Sequence, residues 1–192
     1  MGAKLLFFAG SARKDSLNKK LAKLAYKIAL EQGASATFID LKDFPMPIYD
    51  GDLEAESSLP AKAIELKKIF AEHQGLFISS PEYNSSISPL LKNTLDWISR
   101  PHEANEPSLT ALRGKVVALA AASPGGFGGL RGLVPLRMML GNILIQVLPE
   151  QLAVSQAHEA FHENGDLVNE KQNESLKNIV IRLIEVSEKL AG

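Results

Sequence analysis

The sequence predicts an α/β protein in which helices cover both faces of a parallel β-sheet. Short runs that are apolar throughout alternate with amphipathic segments along the 192-residue chain. Such continuous apolar runs are typical of strands buried on both faces of a parallel sheet. Right-handed crossovers between them give a doubly wound three-layer sandwich. Since no repeat or linker divides the sequence, we expect residues 1–192 to form a single domain.

The predicted strands are short, apolar and bounded by turn-forming residues. They lie at 4–9, 35–40, 75–80, 114–122 and within 142–154. Predicted helices begin near Leu17, at Pro60, at Pro89 and near 130, and the last carries Leu176, Leu183 and Leu190 on one side. The segment 41–60 is rich in turn residues and is assigned no helix or strand before Pro60.

Composition excludes several classes of function. The formal net charge is −1, so the sequence shows no electrostatic footprint for nucleic acid or an anionic membrane. The absence of cysteine excludes disulfides and thiolate metal sites, and it fits a reducing compartment. The longest apolar region, 133–148, is interrupted by Pro135 and Arg137, which argues against a membrane span. No secretory signal is recognisable, so we expect a cytoplasmic protein.

Three loops follow predicted strands one, three and four, at the edge where open parallel sheets bind ligands. They are 10–18, 81–88 and 123–129, and all are rich in Gly, Ser, Asn or Pro. These residue types suit close backbone approach and directed N–H groups better than acid–base catalysis. We therefore expect the ligand to lie among these three loops.

The first loop begins the segment GSARKDSLNKKLA. Ser16 is a predicted N-cap, which leaves the backbone N–H groups of Leu17 and Asn18 free at the positive end of a helix dipole. The Ser11 and Ser16 hydroxyls, the Asn18 amide and the Arg13 guanidinium can add donors. These residues alone leave two interpretations open, a capped turn or a phosphate cradle. The loop is neither a Walker A loop nor G-x-G-x-x-G.

The glycine-rich third loop is GGFGGLRG at its centre. It fails the dinucleotide motif G-x-G-x-x-G by one residue, because Arg131 stands where the last glycine is needed. A loop of this composition still lets a flat ligand approach the backbone closely.

Three segments together resemble the NADPH-dependent FMN reductase family, a flavodoxin-like group that includes azoreductases, chromate reductases and quinone reductases. They are GSARKDSLNKKLA, SSPEYNSSISPLLKNTLDWISRP and SPGGFGGLRG, in the expected order and at the expected strand ends. The resemblance covers most of the chain and implies a five-stranded sheet of order 2-1-3-4-5. It also implies hydride transfer from NADPH or NADH through FMN to a quinone, azo compound, metal oxyanion or free flavin.

Carried over residue by residue, the resemblance implies three groups of cofactor-binding residues and no catalytic side chain, since the flavin carries the chemistry. The FMN phosphate would be held by Ser11, Arg13, Ser16, Leu17 and Asn18. The isoalloxazine ring would be bordered on one side by Pro81, Glu82, Tyr83, Asn84 and Ser85. Its other flank would be formed by Ser123, Gly125, Gly126, Gly128 and Gly129.

One pair of residues departs from the family pattern. Ser88-Pro89 stands where relatives commonly have Pro-Gly. We expect Ser88 to cap the following helix and Pro89 to begin it. The resemblance further implies a homodimer or homotetramer, and we expect the apolar helix near 130–142 to meet the helix at 89–99 in that interface.

The sequence leaves other functions open beside this hypothesis. A flavodoxin-type electron carrier would bind FMN without taking hydride from NAD(P)H, and the same fold can also serve as a binding module. The segment HEAFH at 158–162 matches the zinc signature H-E-x-x-H, but it runs into the turn signal ENGD, so we expect a polar loop. Lys19, Lys23 and Lys27 are predicted to form a solvated helix face.

Overall fold

The computed structural model describes residues 2–191 and contains a five-stranded sheet in the order β2-β1-β3-β4-β5. The strands are β1 (Lys4–Ala9), β2 (Ser35–Phe38), β3 (Gly75–Ser79), β4 (Val116–Ala122) and β5 (Gln146–Val154). The helices are α1 (Leu17–Glu31), α2 (Gly51–Ser57), α3 (Ala61–Ala71), α4 (Pro89–Ile98), α5 (Leu130–Asn142) and α6 (Glu170–Ala191). All neighbouring strands pair in parallel, which confirms the predicted sheet and its strand order.

Helices cover both faces of the sheet. Phe7 and Phe8 are both fully buried because adjacent side chains of a strand point to opposite faces. Phe7 belongs to the core shared with α1 and α6, and Phe8 to the core shared with α3, α4 and α5. The five apolar residues that follow Lys4 in β1 are all buried, as expected for a strand inside a three-layer sandwich.

The starts of two helices agree with the sequence analysis. The Ser16 side chain caps α1 and accepts a hydrogen bond from the Lys19 N–H. Ser88 caps α4 by accepting from the Leu91 N–H at 3.2 Å, and Pro89 is the first helical residue. The Ser88 hydroxyl also donates to the Gly10 carbonyl at 2.5 Å. This side chain thus ties the loop after β3 to the loop after β1.

The segment 41–60 contains structure that the sequence analysis did not predict. Residues Leu41–Asp43 form a 3₁₀ turn, and α2 follows with Asp50 as its N-cap. No residue of α2 is buried, so its sequence carries no apolar periodicity to reveal it. Tyr49, which precedes α2 in the chain, contacts the helix by donating a hydrogen bond from its hydroxyl to the Glu54 carboxylate at 2.8 Å.

The prediction of a solvated lysine face is wrong for one of its three members. Lys19 is only 7% exposed and lies 2.6 Å from the Asp40 carboxylate. Lys23 and Lys27 are exposed, as predicted. The i, i+4 spacing placed the three lysines on one helix face, but it carried no information about the segment after β2 that covers Lys19.

The HEAFH segment lies in turns and bends between β5 and α6 rather than in a helix. A short bridge pairs Phe161 with Leu167 and shapes this region as a loop. The zinc-protease arrangement needs both histidines on one face of a helix, so residues 158–162 lack its geometry.

Between residues 2 and 191, no helix combines the length and the apolar character that crossing a membrane requires.

A buried ion pair fastens the polar connection between α4 and β4. The Lys67 ammonium lies 2.5 Å from one Glu106 oxygen, and the His102 backbone N–H donates to the other at 2.7 Å. Burial alone would raise the pKa of the Glu106 carboxyl. The hydrogen bonds from Lys67 and His102, together with the charge of Lys67, instead lower this pKa to about 2.

We expect this pair to weaken in acid. The pKa of Glu106 falls from 4.5 in the unfolded chain to about 2 in the folded protein. The ion pair therefore makes its full contribution to the free energy of unfolding above pH 4.5 and loses it as the pH falls towards 2. The difference corresponds to a decrease of about 3 kcal/mol in the free energy of unfolding. Urea unfolding across this pH range should show a shallower acid slope in Glu106→Gln, and the wild-type slope in Glu65→Gln, which alters an exposed helix pair. Equal slopes in Glu106→Gln and wild type would refute the assignment.

Candidate functional site

All of the predicted cofactor-binding residues line two adjacent depressions at the carboxyl edge of the sheet. The first, of about 150 Å³, is lined by Ser11, Arg13, Ser16, Leu17, Asn18, Pro81, Glu82, Tyr83 and Ser123. The second, of about 270 Å³, is lined by Glu82, Asn84, Ser85, Ser123, Gly125, Gly126, Gly128 and Gly129. Glu82 and Ser123 border both. The two depressions therefore adjoin at these residues, and together they are called the cleft below.

The N-terminus of α1 supplies hydrogen-bond donors to the first depression. The backbone N–H groups of Leu17 and Asn18 have no acceptor within residues 2–191. The Ser16 oxygen accepts from the Lys19 N–H at 3.3 Å and keeps its own hydrogen available. Ser11 accepts from the Arg13 N–H at 3.4 Å in the same way. With the exposed Arg13 guanidinium, this end of the cleft can bind an anion.

The Asn18 side chain has a different position from the one that the sequence suggested. Its amide nitrogen donates to the Ala122 carbonyl at 2.8 Å, rather than being directed at an anion. Its oxygen accepts from the Ser79 hydroxyl at 2.9 Å and the Ala122 N–H at 3.0 Å. Asn18 thus offers the anion its backbone N–H, while its side chain joins α1 to the ends of β3 and β4.

A tight turn after β3 forms one wall of the second depression. Tyr83 and Ser86 exchange backbone hydrogen bonds of 2.8 and 3.0 Å. The two residues between them, Asn84 and Ser85, have φ values of 52° and 64°. Positive φ at both central positions is the mark of a type I′ turn. The turn leaves the Asn84 and Ser85 N–H groups without an acceptor in the described chain, next to the cleft.

Glu82 connects this turn to α5. Its carboxylate accepts from Arg131 at 2.7 and 2.8 Å and lies 3.4 Å from the Gly132 N–H. The Arg131 guanidinium also lies over the Phe127 ring, 5.1 Å from its centroid. Because Glu82 directs its carboxylate towards Arg131, its backbone is the part that remains for a ligand in the cleft.

The glycines of the third loop divide into two pairs with different roles. Gly128 and Gly129 have φ values of 62° and 89°, and a Cβ at Gly128 would lie 2.7 Å from the Val154 carbonyl carbon. The fold itself therefore requires both. A Cβ at Gly126 would meet nothing within 4 Å, and one at Gly125 only the Ser123 hydroxyl at 3.7 Å. No contact among residues 2–191 explains this second pair, whose backbone lies open beside the cleft.

Sequence reasoning missed several residues of the lining. Ala122 and Pro124 border the first depression, and Phe127 borders the second. Phe127 is 65% exposed, and it was visible in the sequence as a lone aromatic residue between two glycine pairs. Arg131, which interrupts the dinucleotide motif, also lines the second depression.

This arrangement fits an elongated ligand with an anionic end and a flat end. Unpaired N–H groups, two hydroxyls and a guanidinium gather at the end formed by α1. The other end is lined by open glycine backbone and by the turn after β3. FMN, which the sequence resemblance implied, has a phosphate tail and a planar ring. The donor set and the open backbone suit these two parts.

The two glycine pairs should respond differently to a methyl group. Gly128→Ala should lower the free energy of unfolding by about 1–3 kcal/mol, because alanine must adopt positive φ and contact the β5 backbone. Gly126→Ala should leave it unchanged, or raise it by less than about 1 kcal/mol. Urea unfolding of the protein without FMN measures both variants. Equal losses of stability would contradict this division of the loop.

The chain is similar over most of its length to oxidoreductases of one family. The model of the NADPH-dependent FMN reductase family matches residues 3–159. An NADPH:quinone oxidoreductase of Arabidopsis thaliana is 32% identical over 191 residues, covering 96% of this chain and 91% of the relative. A quinone reductase of Escherichia coli K12 is 36% identical over 166 residues, covering 84% and 82%.

A solved structure shares the architecture. It is FerB, a flavoenzyme NAD(P)H:(acceptor) oxidoreductase from Paracoccus denitrificans, with a TM-score of 0.81 and 28% identity. The match covers 97% of this chain and 98% of that one. With the whole-chain relatives and the cleft at the carboxyl edge of the sheet, these matches show that the chain belongs to the NADPH-dependent FMN reductase family.

Proposed function

We propose that this chain is an FMN-dependent oxidoreductase that transfers hydride from NAD(P)H through bound FMN to a small-molecule acceptor. The observation that carries the proposal is that the two depressions of the cleft adjoin. A donor-rich end at α1 and an open glycine end share Glu82 and Ser123 as common borders. Membership of the NADPH-dependent FMN reductase family supports the same activity.

The residues at α1 are proposed to hold the FMN phosphate. The N–H groups of Leu17 and Asn18 lie at the positive end of the helix dipole, where they favour an anion without a metal. Ser11 and Ser16 are each at most 5% exposed, so their hydroxyls are held by the surrounding chain. Arg13 contributes a charged donor from the loop surface.

The loops after β3 and β4 are proposed to hold the ring. FMN supplies the redox chemistry when bound, so the protein needs to position it rather than to provide an acid or base. The N–H groups of Asn84, Ser85 and Gly126 have no acceptor in the described part of the chain and can donate to the ring's polar edge. Tyr83, which is 47% exposed, can limit access to the space above it.

A quinone is the acceptor that the relatives favour. The Arabidopsis thaliana protein is named an NADPH:quinone oxidoreductase and the Escherichia coli protein a quinone reductase, and they cover 96% and 84% of this chain. Azo compounds, metal oxyanions and free flavin belong to the same proposal as alternative acceptors. A flavodoxin-type electron carrier is disfavoured, because the matching family consists of NADPH-dependent reductases.

The phosphate site can be tested with two neighbouring cations. Arg13→Ala removes a charged hydrogen bond worth about 1.5–3 kcal/mol, so the Kd for FMN should rise roughly ten- to one-hundredfold. Lys14→Ala removes the same charge from the adjacent exposed position, which does not line the cleft, and should change Kd much less. Fluorescence titration of FMN into apoprotein measures both. Equal effects would reduce the role of Arg13 to general electrostatic attraction.

The hydride step separates an enzyme from a carrier. Anaerobic NADPH should bleach the flavin absorbance of the FMN-loaded protein, and a quinone should restore it. The measurement is stopped-flow absorbance at the flavin band, with free FMN at the same concentration as control. If bound FMN takes no electrons from NADPH or NADH, the chain is a carrier. If the purified protein takes up no FMN, the cofactor assignment fails.

We also propose that two or four copies of the chain associate through α4 and α5. An apolar groove of about 650 Å³ runs between these helices, with Leu95 and Met139 among its lining residues. Val134 and Met138 on α5 are each 66% exposed, more than expected for apolar side chains of a lone subunit. Ser86 also lines the groove, so the groove extends to the turn after β3 that borders the cleft. A second copy is therefore the occupant that fits.

One substitution should break this association. Met138→Glu places a charge in the apolar groove and should convert the protein to monomers, because an unpaired carboxylate opposes burial. Val168→Glu alters a 48% exposed apolar residue outside the groove and should leave the mass unchanged. Light scattering coupled to size exclusion measures the mass of each. A monomeric wild-type protein would refute the proposal.

Two broader assignments complete the proposed function. We propose that residues 1–192 act as one FMN-binding domain, since strands from both halves of the chain lie in one sheet. We propose a cytoplasmic location, which the cysteine-free composition favours and which cell fractionation tests.

A further inference from the structure

A second polar cavity lies at the opposite edge of the sheet from the FMN cleft. It has a volume of about 110 Å³ and lies where β3 and β4 begin, beneath the end of α6. Its lining residues are His73, Gln74, Arg113, Gly114, Lys115, Val116, Ser187 and Leu190. Among the described residues, the lining includes a lysine, an arginine and a histidine but no carboxylate side chain.

Lys115 differs from the other buried lysines of the described chain. Lys19 and Lys67 are 7% and 4% exposed, and carboxylates lie 2.6 and 2.5 Å from their ammonium groups. Lys115 is 7% exposed, and no carboxylate within residues 2–191 lies in ion-pair distance. Its ammonium donates to the His73 carbonyl. Burial lowers the pKa of Lys115 to about 8, so at neutral pH most molecules hold a buried and uncompensated positive charge.

Ser187 provides an independent observation at the same cavity. Its hydroxyl is fully buried and has no hydrogen-bond partner among the described residues. A Cβ at Gly75 would lie 2.3 Å from the Ser187 oxygen, so glycine at the start of β3 leaves space for this hydroxyl. An unsatisfied buried hydroxyl costs about 1–3 kcal/mol. Two residues of the cavity lining, Lys115 without a carboxylate partner and Ser187 without a hydrogen-bond partner, therefore lack compensation within residues 2–191.

We propose that this cavity binds a small oxyanion such as inorganic phosphate or sulfate. The Lys115 ammonium would be its counter-ion, the Ser187 hydroxyl a donor, and the exposed Arg113 a second cation at the rim. The volume equals that of about three or four water molecules, which is enough for one such anion. His73 contributes no free donor, because its ring nitrogens already contact the Ile69 carbonyl and the Thr37 hydroxyl.

The first test must separate this cavity from the FMN phosphate site. Sodium phosphate is added to the Arg13→Ala protein, in which that site is weakened, with sodium chloride at matched ionic strength as control. Above its Kd, each tenfold increase in phosphate should raise the folding equilibrium constant about tenfold, seen as a higher Tm. Lys115→Met should abolish this response. Lys68→Met, which removes an exposed lysine, should retain it.

A second measurement does not depend on whether Lys115→Met folds. In protein labelled with ¹³C at lysine Cε, phosphate should raise the pKa of Lys115 above its value in chloride, since an anion stabilises the ammonium. Ser187→Ala should weaken the phosphate effect several-fold without removing it. An unchanged Lys115 titration, or a Tm response that survives Lys115→Met, would overturn the proposal and leave a water-filled cavity beside a packed lysine. If the protein still binds FMN and oxidises NADPH in that case, the oxyanion site alone is refuted and the proposed FMN-dependent activity stands.

Discussion

The position of the proposed cofactor site depends on one buried amide. Asn18 bonds the end of β4 through both the Ala122 carbonyl and the Ala122 N–H, and it accepts from Ser79 at the end of β3. These contacts join residues 104 and 61 positions apart in sequence. They fix the first turn of α1, with its free N–H groups, against the two strand ends that carry the other loops. The distance between the free N–H groups of α1 and those loops is therefore set by these contacts, which fixes the length of the cleft.

The elements that face the core were predictable because burial imposes periodicity on sequence. After its exposed first residue, Lys4, β1 is apolar because both of its faces are covered, and its predicted and observed bounds coincide. The cap at Ser16 was predictable because it depends on residues a turn apart. By contrast, α2 buries none of its residues, and Lys19 owes its burial to a segment some twenty residues away. Local pattern contains neither kind of information.

The same distinction applies inside the cleft. Composition and the position after predicted strands identify the three loops, and the family resemblance identifies the residues within them. Composition alone does not distinguish one glycine of the third loop from another. Only packing separates Gly128, whose missing Cβ makes room for the β5 backbone, from Gly126, where an added Cβ would meet nothing within 4 Å. In the same way, the residue type of Asn18 suggested a donor for the anion, and its long-range contacts show a bridge between elements.

The three buried lysines of the described chain differ in how their positive charges are compensated. Moving an ammonium out of water is costly unless an anion and further hydrogen bonds compensate for the lost hydration. Asp40 and Glu106 supply that anion for Lys19 and Lys67. Lys115 has a backbone carbonyl instead, which supplies a dipole but no charge, and desolvation is the only influence that moves its pKa. Since the fully buried Ser187 hydroxyl beside it also lacks an acceptor, a single bound oxyanion would satisfy both groups, whereas one more apolar contact would satisfy neither.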